Sequence, residues 1–156
     1  MNLSVIQQEL IKALYGKQSH MPVMKIIEEF PVDKINEHID EVPYSPWELV
    51  DHIRMTQADI IDYIQNPDYK ERKWPEEYWP EKGKKANAAE WNKSLKQLRE
   101  DFKTLEDIIL DPQVNLTAPL VHNANHTLFR ELLILANHNS YHGGQLLIFR
   151  RVLKAY

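Results

Sequence analysis

Two histidines stand four residues apart in "HNSYHGGQ", residues 138–145. On a helix, residues four apart share a face, with side chains about 5–6 Å from each other. His138 and His142 in that relation can close on one metal ion. The spacing alone is weak evidence, because two core-edge histidines bonded to their neighbours would look the same. A metal needs a third ligand, and helical cores supply one from a facing helix. His52 is the only histidine on a predicted helix outside the last one, at the edge of that helix's inward stripe. Gln145 lies one turn from His142, placed to hydrogen-bond a ligand or a metal-bound water; it reads equally as a flanking polar residue. Gly143 and Gly144 each cost a helix about 1 kcal/mol relative to alanine. They leave room for another helix or a bound molecule, or they mark a local kink.

The elements that must position these residues are helical. Leu3, Ile6, Leu10 and Leu14 repeat at threes and fours over 2–15. "MPVMKIIEEF" suits two further turns before Pro31, and 32–44 reads as irregular. Ser45, Pro46 and Glu48 form a capping signature that opens a helix running to about Gln65. Its stripe is Leu49, Ile53, Ile60 and Ile64. Asn87 and Glu90 cap the next, whose seam is Trp91, Leu95, Leu98, Phe102, Leu105 and Ile109. Asp111-Pro112 ends it. The last helix covers about 127–153, and His138 and His142 fall on the face of Leu128, Leu132, Leu135, Leu146, Phe149 and Leu153. Four amphipathic helices without a convincing strand predict an all-α fold, an antiparallel four-helix bundle in one domain over 1–156. A long loop joins the second and third main helices, and loops of that length tend to be functional or mobile. It contains "WPEEYWP", whose rings either wall a pocket or pack over helix ends.

Composition narrows the chemistry. At 156 residues and 43% hydrophobic, the chain suits one core of ordinary globular type. A net charge of -4 without a basic block disfavours nucleic-acid binding. Cysteine is absent, so there is no thiolate ligand, disulfide or cysteine nucleophile. No apolar run nears the ~20 residues that span a membrane. "MNLSVIQQEL" lacks the basic start and apolar core of a secretory signal, which makes the cytoplasm the expected compartment. No GxSxG, glycine-rich phosphate loop or HExxH occurs. His122 and His126, in "LVHNANHTL", precede the last helix and are placed to reach the mouth of a site as acid–base groups. The plainer reading is ordinary loop histidines, which is how His20 and His38 read.

"HNSYHGGQLLIFRRVL" resembles the last-helix signature of the DinB/YfiT-like superfamily: histidine, three residues, histidine, one residue, glycine and glutamine. "YSPWELVDHIRMTQADIIDYI" is similar to its second-helix signature, and "WPEEYWP" to a loop in one branch. The resemblance implies a four-helix bundle, often dimeric, with a divalent ion such as zinc or nickel on His52, His138 and His142. Characterised members of that superfamily include S-transferases and an isomerase that depend on low-molecular-weight thiols. Relatives usually carry a larger residue at the Gly143 position, which leaves extra room here. The expectation is therefore a metalloenzyme acting on a small-molecule substrate as a homodimer, with a small thiol as co-substrate. Hydrolysis by metal-bound water, or a non-catalytic role as a metal-binding stress or scaffold protein, stays open.

Overall fold

The computed structural model describes residues 4–155, and the protein is mostly helical. Leu3, counted in the first stripe, lies outside the described residues. Ser4 caps α1 (Val5–Tyr15) in a capping box with Gln7, and Gly16 closes it in the left-handed conformation at φ 65°. A short α2 (Val23–Glu28) and a single 3-10 turn at Val32–Lys34 follow. The expected signature holds at α3 (Pro46–Gln65): Ser45 accepts from the Glu48 amide, and the Glu48 carboxylate returns to the Ser45 amide. Asn87 caps α4 (Ala88–Leu110) in the same way, and Thr127 caps α5 (Leu128–Val152). Each such cap contributes about 1 kcal/mol.

Two expectations need correction. Residues 119–127 hold a small antiparallel hairpin, β1 (Pro119–Leu120) with β2 (Asn123–Thr127). "NANHT" shows no alternation, so its extended form comes from pairing and from the start of α5, which a periodicity reading does not detect. Ile6 is exposed, so the inward stripe of α1 begins at Leu10.

The four long helices touch in a ring: α1 on α4, α4 on α3, α3 on α5, and α5 on α1. The six apolar positions of the α4 seam are all buried, as are Leu128, Leu132, Leu135, Leu146 and Phe149 on α5. A polar tie crosses this core. The Asn139 amide donates to Gln57 Oε1 at 3.0 Å, and Gln57 Nε2 reaches the Leu98 carbonyl at 3.4 Å, joining α5, α3 and α4. Helix α5 runs through Gly143 and Gly144 unbroken. A Cβ at 143 would lie 3.5 Å from Ile26 and 3.6 Å from Val23, in ordinary contact with α2, which packs on α5 there; a Cβ at 144 would meet open space. Of the readings of the glycine pair, the approach of another helix is the one seen, at Gly143. Among the described residues no helix is long and apolar enough to cross a membrane.

Candidate metal centre

Helices α3 and α5 bring His52, His138 and His142 together. Their ring centroids are 4.4 to 5.0 Å apart, and each ring offers a nitrogen within 4.8 Å of the other two. His52 and His142 are buried and His138 is half-buried. The far nitrogens are held separately. His52 Nδ1 donates to the Tyr78 carbonyl at 2.7 Å, and His142 Nδ1 donates to Gln145 Oε1 at 2.6 Å. Each bond fixes a tautomer that leaves Nε2 with its lone pair, the arrangement in which imidazole ligands are usually oriented. Of the readings open for Gln145, a bond to a candidate ligand, a bond to a bound water or no role, the first is the one seen.

His138 completes the group differently. Its Nε2 lies 3.1 Å from His52 Nε2, while its buried Nδ1 has no hydrogen-bond partner. Because His52 is protonated at Nδ1, the proton between the two rings belongs to His138. Moving it to Nδ1 frees a third Nε2. Three nitrogens about 2.1 Å from one tetrahedral ion lie about 3.4 Å from each other. The His138–His52 separation of 3.1 Å and the 4.8 Å limit on the others lie on either side of that value, so the donor set fits a divalent ion.

Electrostatics keep these rings neutral. Burial pushes His52 down to about 4, with His142 adding to the effect and the Tyr78 carbonyl opposing it. Burial, then His142 and His52, push His138 down to about 3. His142 is lowered by burial, against the pull of Gln145. An ordinary histidine in the unfolded chain titrates near 6.5. Between that value and the folded ones the unfolded chain binds more protons, so stability rises with pH across the window. The metal-free protein is therefore expected to hold this stability above pH 6.5 and lose it as the pH falls towards 4. Urea denaturation of metal-free protein at pH 7 and pH 4.5 checks this; an unchanged midpoint would contradict it.

The long loop lies against the three histidines, so its rings do more than pack over helix ends. Beyond the Tyr78 carbonyl, it lays Trp79 flat on His52, with ring centroids at 4.0 Å and planes at 3°. The same segment is anchored on α3 by buried Asp59. That carboxylate accepts from the Tyr78 hydroxyl at 2.7 Å and the Tyr69 hydroxyl at 3.1 Å, and pairs with Arg72 at 3.1 Å. Asp59 carried no signal in the sequence beyond being an acid on an inward face. Trp79 also stacks on Tyr44 at 5.1 Å, and a cavity of about 680 Å³ lined by Tyr44, Glu48, Pro75 and Trp79 opens there.

The other histidines stay out of the cluster. His126 bonds Tyr63 and His122 packs edge-on against Tyr63, in a separate cavity. His20 bonds Ser140, and His38 is exposed.

A mostly helical chain with three neutral imidazoles converging between two helices defines a class of candidate metal-binding helical proteins. A family model described as the DinB superfamily matches residues 17–146, and the chain belongs to that superfamily. No curated protein and no solved structure matches it.

Proposed function

We propose that this protein is a metalloenzyme of the small-thiol-dependent S-transferase type, with His52, His138 and His142 holding a zinc or nickel ion. The observation that carries the reading is the convergence of three imidazoles, two with their outer protons locked away from the centre. Imidazole donors suit both metals. A divalent ion bound there supplies a Lewis acid that lowers the pKa of a thiol or a water to near neutrality. Tyr78 and Gln145 keep the two Nε2 atoms free, and Trp79 covers one face of His52 against water. The chain has no cysteine, so the thiol must arrive as a co-substrate. The cavity beside Trp79, walled by aromatic and proline side chains, suits an apolar electrophile.

The test compares metal-free and metal-restored protein, given a small thiol and an electrophile. Thiol-dependent turnover only after restoration supports the reading. Metal-dependent turnover with water alone assigns a hydrolase instead, and a raised melting temperature without turnover assigns a structural or sensing ion.

The ring of helix contacts supports the antiparallel four-helix bundle, with 1–156 as one domain. The proposed assembly is a homodimer. Its support is the outer face of α5, where Ile134, Tyr141, Ile148 and Val152 are exposed around the open Gly144. That is an apolar face of the kind that marks interaction sites. Sedimentation at micromolar concentration is expected to show twice the 18.5 kDa chain mass. A lone 18.5 kDa species counts against the dimer.

A further inference from the structure

A second polar cavity, of about 400 Å³, opens beside the histidine cluster, lined among others by Asp59, Tyr63, Tyr69, His122, His126 and Glu131. Its volume lies in the range of small-molecule sites. Asp59 is seven residues beyond His52 on α3, and Glu131 is seven before His138 on α5. Both offsets are two helical turns, about 10 Å. The cavity therefore lies further along the same contact between α3 and α5, outside the candidate metal centre.

The walls are chemically one-sided. Tyr63, Tyr69 and His122 gather with centroids 4.6, 4.8 and 6.0 Å apart. The Tyr63 hydroxyl accepts from the Asn123 amide at 3.0 Å and donates to His126 Nδ1 at 2.7 Å. Arg130 also approaches that nitrogen, at 3.4 Å, and a guanidinium only donates. His126 Nδ1 is thus an acceptor already used. His122 Nε2 is buried with no partner. Glu131 is 4% exposed; Arg130 donates to its Oε1, and no hydrogen bond among the described residues reaches its Oε2.

Charge points the same way. Three carboxylates line the cavity: Asp59, Glu71 and Glu131. Arg72 pairs with the first and Arg130 with the third, while Glu71 has no ion pair among the described residues. One negative charge is left over, on the exposed Glu71, in a lining that also holds π-rich rings, which attract cations. The Glu131 Oε2 atom is not closed off with the rest of this buried side chain, so an acceptor stays open there for a donor.

We propose that this cavity binds a protonated primary amine carried on a small, ring-sized organic molecule. The ammonium donates to Glu131 Oε2, and the apolar body packs against the rings of Tyr63, Tyr69 and His122. The hairpin β1–β2 then has a function, because it presents His122, Asn123 and His126 to the cavity. This site does not depend on an ion at the three-histidine cluster.

The probes are 2-phenylethylamine and 3-phenylpropionate, of similar size and opposite charge. The readout is the imidazole C–H resonances of His122 and His126 in the full-length chain at pH 7. The amine is expected to shift both resonances saturably and to bind at least tenfold tighter than the acid. Glu131→Gln is expected to weaken the amine at least tenfold, and stripping the unaltered protein of metal with a chelator to leave it unchanged. Equal binding of amine and acid, no shift by either, or loss of the amine on metal removal would each overturn the proposal. If Glu131→Gln fails to fold, the comparison of amine with acid on the unaltered protein still decides it.

Discussion

Replacing His142 with alanine is expected to lower bound divalent metal from about one ion per chain to a small fraction of that. The ring stands 4.4 Å from His138 and 4.9 Å from His52, centroid to centroid. Its loss leaves two imidazoles, too few for the three protein ligands of an open zinc site. His52→Ala and His138→Ala should do the same. His38→Ala, on an exposed loop, should leave the stoichiometry alone. The measurement is metal content by mass spectrometry on untagged protein dialysed against a weak chelator. A His142→Ala chain that keeps a full equivalent would remove the three-histidine assignment. The folded state of each variant is checked by helical circular dichroism, since truncating a buried ring also opens a void.

A large effect is also expected from Asp59, which lies two turns from the centre. Asp59→Ala should weaken metal affinity about 10- to 100-fold, the usual cost of losing an outer partner of an imidazole ligand. The route is the loop. Asp59 holds Tyr69, Arg72 and Tyr78, and the same Tyr78 supplies the carbonyl that fixes His52. Once that anchor is cut, His52 loses its acceptor and the stacked Trp79 together. Gln145 still orients His142, so saturating metal should restore close to one ion per chain. Tyr78→Phe, which breaks one of the three links, should give a smaller change in the same direction. Calorimetric titration with zinc distinguishes the cases. An affinity for Asp59→Ala equal to the unaltered protein would mean that the loop does not position His52. Gln145→Ala should act on the other ring with a loss in the same range.

The sequence by itself determined the helices and the residues that converge between them. Ser45 with Glu48 and Asn87 with Glu90 act within one turn, so their caps are local and legible. The α4 seam from Trp91 to Ile109 is legible because burial of one helix face imposes a period of 3.6. His138 and His142 share a face for the same reason, and the inward stripe of α3 pointed to His52. Only the tertiary structure decided what surrounds these rings. Tyr78 meets His52 across 26 residues of chain, and Tyr63 meets His126 across 63. The first of these partners is a backbone carbonyl, which every residue type carries and no sequence pattern marks. The hairpin at 119–127 escaped because its extended form comes from pairing and not from alternation. The Gly143-Gly144 pair was ambiguous for a related reason: which neighbour a missing Cβ admits depends on where α2 lies. Local rules govern caps and faces through bonds and periods a few residues long. Outer partners and cavity walls are set by how distant segments pack, and that is decided only when the whole core closes.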